Sequence, residues 1–336
     1  MRASRFPWFE SPLTQPARLG ADQATAGHRG RIPDVIDPIA FRLGPLEVHW
    51  YGIIIASAVL IAALIGNMEA RRRGEDPEKG WSMLLLVIVT SVIAARLYHV
   101  IHMWDFYSQN PELIPQVWRG GIGIPGAIAG GAFGIWIYCR RNQLSTARWL
   151  DIFAPALLLG QAIGRLGNFV NQELYGPPIS QCGNGTFPPC LPWGIQIDAA
   201  HRVGTPWDAI AYPVATTQFV PMFAYEAILN LIGLAVVLWI ARRFAARLYD
   251  GDIALIYIMW YGAVRSLLET YRVNNWTILG VPTAIWIGIL GIILAGAFLV
   301  VRHAKGWGTP GSWMHRSDET DDAGESQPAG VEPQPG

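Results

Sequence analysis

Seven apolar stretches dominate the chain, and each approaches the length that an α-helix needs to cross a bilayer. About 20 residues, at a rise of about 1.5 Å each, cover the hydrocarbon core. The stretches centre on 49–69, 81–103, 122–139, 150–167, 221–241, 252–271 and 281–301. The third and fourth are short and rich in glycine. This pattern predicts an all-α integral membrane protein with about seven transmembrane helices.

Polar segments flank and interrupt the apolar stretches. Residues 1–47 contain proline and arginine without helical periodicity, which predicts a polar N-terminal tail. Residues 48–303 form the predicted seven-helix membrane domain, and a long polar insert, 168–220, separates its fourth and fifth helices. Residues 304–336 are acidic and rich in proline and glycine, which predicts a disordered C-terminal tail.

The arginine content of the short loops predicts the orientation in the membrane. Arginine is concentrated in three of them, at 71–80, 140–148 and 242–251. The loops on the other side, near 104–121 and 272–280, carry only Arg119 and Arg272. Because positively charged loops stay in the cytoplasm, the N-terminus is predicted outside and the C-terminus inside. The insert 168–220 is then extracytoplasmic.

The composition supports the membrane class and argues against several others. Hydrophobic residues make up 51% of the 336 positions and charged residues only 15%, against about 25% in soluble proteins. Fifteen tryptophans are consistent with aromatic belts at the lipid interface. The formal net charge is zero, without a basic run, so we expect no nucleic-acid partner.

The three cysteines suggest a disulfide and no metal site. Cys182 and Cys190 lie in one polar loop, "CGNGTFPPC", whereas Cys139 ends an apolar stretch. If the loop faces an oxidising compartment, the first two are expected to pair. No Cys or His cluster has zinc spacing, so neither a metal nor another cofactor is expected.

An unusual polar segment, "GRLGNFVNQELYG" at 164–176, closes the fourth apolar stretch. It places Arg165, Asn168, Asn171 and Glu173 within nine positions. A charged group at the edge of a bilayer is costly, and such residues usually serve function. Because a guanidinium offers a rigid fork of donors that matches phosphate, Arg165 is predicted to bind an anionic headgroup.

The sixth apolar stretch carries a second polar group at the same predicted depth. Tyr261, Arg265 and Glu269 are spaced i, i+4, i+8, so they share one helix face. Tyr51 lies at the outer end of the first stretch. Polar side chains from several predicted helices therefore converge on one side of the membrane, as a binding or catalytic site requires.

Structural explanations remain open for some of these residues. The glycines at 160, 164 and 167 favour close helix packing, and Arg265 with Glu269 is equally compatible with a structural ion pair. The tyrosines are individually typical of interface anchors. A transporter for an anionic amphiphile is the alternative from another class, although its site belongs near the midplane. A protease is disfavoured because neither H-E-x-x-H nor G-x-S-x-G occurs.

Four motifs in order resemble those of the prolipoprotein diacylglyceryl transferases. "GRLGNFVNQELYG" resembles the signature segment of that family. "LGPLEVHWYG" (43–52), "PMFAYE" (221–226) and "WYGAVRSLLETYR" (260–272) resemble its first, fifth and sixth spans, and "ARLYHV" its second. The resemblance extends from about residue 40 to 300.

The resemblance implies a reaction and a set of roles. Family members transfer the diacylglyceryl group of phosphatidylglycerol to the lipobox cysteine of a prolipoprotein, at the outer side of the bacterial cytoplasmic membrane. The implied partners are phosphatidylglycerol, the lipobox of the signal peptide and membrane lipid. The implied catalytic residues are Arg265, Glu269 and Tyr261, and the implied substrate-binding residues are Arg165, Asn168, Asn171, Glu173 and Tyr51.

One position departs from the resemblance. Many relatives carry a histidine before two glycines at the outer end of the third span, where this chain has Pro125. Proline has no side-chain proton to exchange, so the identity of any general base stays open. The sequence also leaves open the preferred prolipoproteins and acyl chains and the oligomeric state.

Overall fold

The computed structural model describes residues 38–44, 46–184, 187–272 and 277–312. Within these residues, seven helices have 18 residues or more, and a short helix, α3, follows the second of them. The helices are α1 (Trp50–Arg72), α2 (Pro77–His102), α3 (Trp104–Tyr107), α4 (Ile124–Arg141), α5 (Thr146–Val170), α6 (Met222–Arg243), α7 (Asp252–Glu269) and α8 (Thr283–Lys305). The seven long helices coincide with the seven predicted stretches.

Five of the described helices, α1, α2, α5, α6 and α8, are long and apolar enough to cross a membrane. Their outward apolar surface fits lipid: Ile287 and Val300 on α8 are 66% and 65% exposed. The other two long helices are more polar. α7 contains Asp252, Arg265 and Glu269, and α4 is rich in glycine and ends in two arginines. The all-α membrane class is thus confirmed, whereas the number of spans and their orientation remain predictions.

Two small hairpins lie outside the helices and correct the predicted tail boundary. β1 (Ile39–Leu43) pairs antiparallel with β2 (Leu46–His49), so the segment predicted as a loose tail ends in a hairpin. The periodicity of two such short strands is too brief to stand out in the sequence. β3 (Thr277–Ile278) pairs with β4 (Val281–Pro282). Residues 1–37 of the predicted tail lie outside the described residues.

The predicted disordered C-terminal tail begins too early at residue 304. α8 continues to Lys305, and the chain then folds back so that Gly311 donates its N–H to the Leu248 carbonyl at 2.9 Å. Arg302 donates to the Trp307 carbonyl at 3.1 Å. These contacts order 306–312, and the remaining residues, 313–336, lie outside the described part.

The chain divides into two compact units. The first comprises Met1–Ile53, Arg165–Tyr225 and Leu268–Thr283, and the second comprises Ile54–Gly164, Glu226–Leu267 and Ala284–Gly336. The first unit contains both hairpins and the polar insert. The second contains most of the helical residues.

Glycines bring α2 and α4 together in the second unit. A Cβ added at Gly126 or Gly130 would collide with the backbone carbonyl oxygens of Ala94 and Thr90. Backbone cannot move aside as a flexible side chain does, so only glycine fits at these two positions. By contrast, a Cβ at Gly160 would meet Ala62 at an ordinary 3.6 Å. Close packing through glycine is therefore a property of α4 more than of α5.

Buried ion pairs connect the arginine-rich turns of the second unit. Arg73, after α1, lies 3.1 Å from the Asp151 carboxylate on α5, and their side chains are only 3% and 1% exposed. Asp151 also accepts the N–H groups of Gly251 and Ala254 at 2.9 Å. One carboxylate on α5 thereby joins the connection after α1 and the start of α7.

Arg148 makes a second set of such pairs at the start of α5. Its guanidinium lies 3.0 Å from Glu75 and 3.0 Å from Asp250. The Arg302 guanidinium and the His303 ring both contact Asp252, at 3.3 and 2.7 Å. In the sequence, these arginine-rich segments predicted only the orientation in the membrane. In the structure, several of them also hold the ends of helices together.

The polar insert of the first unit has a small core of its own. Ile197, Trp207 and Phe219 are almost fully buried there. Ile195 and Phe219 exchange two backbone hydrogen bonds, of 3.0 and 2.8 Å. Buried Arg202 donates to the Ile197 and Tyr212 carbonyls and lies over the Phe219 ring. The insert is therefore a folded segment and more than a connection between α5 and α6.

The predicted disulfide is present in the insert. Cys182 and Cys190 are joined, with their Cα atoms 5.7 Å apart, and Cys139 is a free buried thiol. Cys182 continues from a short turn at Ile179–Gln181, and Gly183 donates its N–H to the Phe187 carbonyl. The bond closes a short loop beside the core of the insert.

Replacing both Cys182 and Cys190 by serine is expected to destabilise the insert by about 2–3 kcal/mol, because a short cross-linked loop removes that much chain entropy from the unfolded state. Limited proteolysis of the purified protein measures the opening of the insert. In reductant, the wild-type protein should be as protease-sensitive as the double variant. The protease sensitivity of the double variant should not change with reductant. Equal protease resistance of the variant and the oxidised wild type would contradict a stabilising role.

Candidate active site

A relay of hydrogen bonds connects the polar residues at the end of α5. Arg165 Nη1 donates to Asn168 Oδ1 at 3.0 Å. Asn168 Nδ2 in turn donates to Glu173 Oε2 at 3.3 Å, and Asn171 Nδ2 donates to Glu173 Oε1 at 3.4 Å. An amide is needed in the middle because it accepts from a guanidinium with one atom and donates to a carboxylate with the other. The relay orients the Arg165 guanidinium.

The backbone around Glu173 is held in an unusual conformation. Gln172 and Leu174, on either side of it, have φ of 49° and 57°, the left-handed region that non-glycine residues avoid. Such positions cost on the order of 1–3 kcal/mol each and cluster at functional sites. They turn the chain sharply after α5, so that the Glu173 carboxylate faces back towards Asn168 and Asn171.

Three hydrogen bonds maintain this turn. The Glu173 N–H donates to the Asn168 carbonyl at 2.8 Å. The Phe223 N–H donates to the Leu174 carbonyl at 3.1 Å, and the Asp198 N–H donates to Gln172 Oε1 at 2.8 Å. The insert and the start of α6 therefore support the strained turn from both sides.

Tyr51 packs against α5 beside the relay. A Cβ added at Gly167 would approach the Tyr51 ring to 2.7 Å, so the aromatic ring lies directly on the backbone next to Asn168. Glycine is needed at position 167 because the Tyr51 side chain occupies the space of a Cβ. Tyr51 is itself 40% exposed. Of the predicted site residues in the first unit, five thus lie on or beside the end of α5: Tyr51, Arg165, Asn168, Asn171 and Glu173.

The predicted residues of α7 share one helix face, as their spacing required. Tyr261 stacks on Tyr257 with ring centroids 6.1 Å apart. Glu269 is only 4% exposed, and its Oε2 lies 3.8 Å from Arg272 Nη1. Tyr261 and Arg265 belong to the second unit, and Glu269 to the first. Arg272 was missed as an ion-pair partner, although its i+3 spacing from Glu269 is a signal for one.

Two further polar features of the second unit also escaped prediction. Gln161 Nε2 on α5 donates to Tyr257 Oη at 3.0 Å. Asn230 on α6 is fully buried, and its amide makes no hydrogen bond within the part of the chain that the structure describes. A single amide in an apolar span is the signal that marks such a residue in the sequence.

The site is built from arginine, amide, carboxylate and tyrosine side chains. Across the described ranges, no group of three His, Cys, Asp or Glu residues is arranged to hold a metal ion. An oriented guanidinium beside hydrogen-bonding amides can bind a phosphate and stabilise negative charge that develops on it.

The chain has the features of a multi-pass membrane protein. Its helices are apolar, and one of them ends in a strained polar turn that contains an arginine. Residues 38–301 match the family model described as prolipoprotein diacylglyceryl transferase. The chain belongs to this family of transferases.

Curated relatives share about a third of their residues with the chain over most of its length. A protein of Streptococcus equi subsp. zooepidemicus (strain MGCS10565) is 35% identical over 271 residues, which cover 81% of this chain and 97% of the relative. Proteins of Leifsonia xyli subsp. xyli and Lysinibacillus sphaericus are each 37% identical over 80% of this chain, and over 79% and 93% of their own lengths. All three are named phosphatidylglycerol--prolipoprotein diacylglyceryl transferase.

Proposed function

We propose that this protein transfers the diacylglyceryl group of phosphatidylglycerol to the lipobox cysteine thiol of prolipoproteins and releases glycerol phosphate. The observation that carries the proposal is the Arg165–Asn168–Glu173 relay, which fixes a guanidinium at the end of an apolar helix. A phospholipid has its phosphate at that level of a bilayer, directly above the acyl chains. Family membership and the names of the relatives support the same substrates.

The reaction needs no nucleophile from the enzyme, because the peptide supplies a thiol. The thiolate sulfur attacks the glycerol carbon that bears the phosphate, a C–S bond forms, and the C–O bond breaks towards the phosphate. The departing glycerol phosphate retains the electron pair, and the thiol proton passes to solvent or to a base. Arg165, held by Asn168, binds the phosphate and stabilises its growing charge.

The remaining predicted residues have supporting roles in this proposal. Arg265 provides a second guanidinium for the leaving phosphate, and Glu269 balances the positive charge at that end of α7. A thiol has an unperturbed pKa near 8.5, and neighbouring arginines lower it, which favours thiolate at neutral pH. Tyr261 and Tyr51 line the space for the lipid, while Asn171 and Glu173 keep Asn168 in place.

The proposed topology has seven spans, an outside N-terminus and a site that faces the extracytoplasmic side of the bacterial cytoplasmic membrane. The arginine-rich turns between α1 and α2, α4 and α5, and α6 and α7 support it. The disulfide of the insert supports it as well, because disulfides persist in oxidising compartments.

The test is an assay of the purified protein in vesicles of phosphatidylglycerol with a synthetic lipobox peptide. Mass spectrometry should show the peptide heavier by one diacylglyceryl group, attached through the cysteine sulfur. A peptide with serine in place of that cysteine is the control and should stay unmodified. Movement of labelled lipid between leaflets without any peptide adduct would instead support the transporter alternative.

Glu269→Gln is expected to lower kcat about 10- to 100-fold, because a hydrogen bond or ion pair to a charged group contributes about 1.5–3 kcal/mol. The exposed Glu112 on the α3–α4 connection offers a matched control, since Glu112→Gln removes the same charge without burial. Turnover is measured together with membrane abundance and thermal unfolding. If Glu269→Gln protein fails to accumulate while its folded fraction works normally, the role of Glu269 is structural.

A further inference from the structure

A long run in the insert, which begins directly after Glu173, carries no charge. From Leu174 to Ile197, 24 consecutive residues include no Asp, Glu, Lys, Arg or His. The second half is different, because Asp198, His201, Arg202 and Asp208 follow within eleven positions. A long uncharged run is unusual for a segment surrounded by water, where charged residues make up about a quarter of a typical protein.

Part of this run, the tip segment 189–193, is attached to the ends of two membrane helices. Tyr271 Oη, two residues beyond α7, donates to the Pro189 carbonyl at 2.8 Å. The Leu191 N–H donates to Tyr225 Oη, in the first turn of α6, at 3.2 Å. The Trp193 ring meets the Tyr225 ring edge-on, with centroids 5.2 Å apart. The tip segment is therefore held at the level where α6 begins and α7 ends.

Both ends of the tip segment are fixed by bonds to the rest of the insert. The Cys182–Cys190 disulfide fixes one end, and the two backbone bonds between Ile195 and Phe219 fix the other. Two of its apolar side chains are nevertheless largely accessible, with Leu191 52% and Trp193 42% exposed. A rigid segment with exposed leucine and tryptophan has a fixed apolar surface.

We propose that the tip segment 189–193 is a lipid-contact surface, whose Leu191 and Trp193 enter the headgroup region of the leaflet at which α6 begins. Within its own unit, the segment is attached through Tyr225 to the start of α6 and through Tyr271 to the end of α7. Tryptophan and tyrosine concentrate at this depth because their rings are apolar and their polar atoms hydrogen-bond. The bulk lipid of the leaflet, and not one bound molecule, is the partner.

Another exposed apolar residue of the insert lacks these features and offers a control. Ile210 is 93% exposed, but it belongs to a turn closed by Asp208, whose carboxylate accepts the N–H groups of Ile210 and Ala211. The N–H groups of Ala211 and Ile210 hold the pKa of Asp208 below its usual range, so this turn stays charged. Because a charge is costly to move into a bilayer, we expect the turn at Asp208 to stay in water.

The test places the photoreactive amino acid benzoylphenylalanine at position 193, at 191 or at 210 of the full chain. Each protein is purified and reconstituted in vesicles of phosphatidylcholine and phosphatidylglycerol. One set of vesicles carries an alkyne on the acyl chain of the phosphatidylcholine, and a second set on that of the phosphatidylglycerol. After irradiation, the alkyne is coupled to a dye, and labelled protein is quantified per mole.

We expect lipid labelling from 193 and from 191 that is severalfold above labelling from 210, with both labelled lipids. Labelling equal to that from 210 at both positions would overturn the proposal. Labelling from phosphatidylglycerol alone would also overturn it, because it would indicate a headgroup site for one lipid. A third arm adds an alkyne-labelled lipobox peptide, and a peptide adduct that replaces the lipid adduct would assign the surface to the peptide.

A further variant tests the attachment itself. Tyr225→Phe removes the hydroxyl that accepts from Leu191 and leaves the ring that contacts Trp193. If the helix ends hold the tip segment at the interface, this variant should lower lipid labelling from position 191 more than from 193. Unchanged labelling from both positions would show that the attachment does not determine the depth.

Discussion

Arg165→Lys is expected to lower kcat/KM about 100- to 1,000-fold, the usual loss when one donor to a developing negative charge is removed. Lysine keeps the positive charge but not the planar fork, so it cannot bind phosphate and Asn168 Oδ1 in the same geometry. In the structure, Arg165 Nη1 lies 3.0 Å from that oxygen, and Asn168 is itself bonded to Glu173. Diacylglyceryl transfer to a lipobox peptide at several lipid concentrations separates binding from turnover.

The matched control for this substitution is Arg140→Lys. Arg140 lies in the last turn of α4 and is exposed, so the same change there should leave transfer unaltered. Both variants are compared at equal membrane abundance. Transfer by Arg165→Lys within a few fold of the control would contradict the assignment of the guanidinium to the phosphate.

Asp151→Asn is expected to lower the free energy of unfolding by about 3–5 kcal/mol, the usual cost of breaking a buried ion pair by removing the charge of one partner. The Arg73 side chain is 3% exposed, so water compensates it poorly once the carboxylate charge is lost. Asp151 accepts the N–H groups of Gly251 and Ala254 with different oxygens, so the new amide places a donor against one of the two. Reversible thermal or denaturant unfolding in detergent measures the change.

Asp105→Asn is the control for this second prediction. Asp105 is exposed on the short α3, and surface substitutions usually change stability by less than about 0.5 kcal/mol. A loss for Asp151→Asn no larger than that for Asp105→Asn would mean that water or another group compensates Arg73. The buried pair would then contribute little to the stability of the second unit.

The arrangement of the candidate site was only partly predictable from the sequence. The residue types of "GRLGNFVNQELYG" indicated an anion site, but not that Asn168 lies between Arg165 and Glu173. That order depends on the left-handed backbone at Gln172 and Leu174, which no local propensity favours. The insert and α6 impose it through hydrogen bonds from residues far along the chain, such as Asp198 and Phe223.

The ion pairs show the same limit. Glu269 has two possible partners by spacing alone, Arg265 and Arg272, and the structure places Arg272 within 3.8 Å of it. Arg73, 78 positions before Asp151, had no local signal for a buried pair. The sequence does not pair the arginine-rich turns with carboxylates, because Asp151, Glu75 and Asp250 come from other parts of the chain.

The amino-acid sequence by itself determined the seven long helices, the membrane class and the residues of the signature turn. Those features depend on local hydrophobicity and on spacing along one helix, which a sequence displays directly. The tertiary structure decided the relay through Asn168, the glycine contact between α2 and α4, the buried Asp151 cluster and the attachment of segment 189–193. Each of these depends on atoms from distant parts of the chain, whose positions follow only from packing.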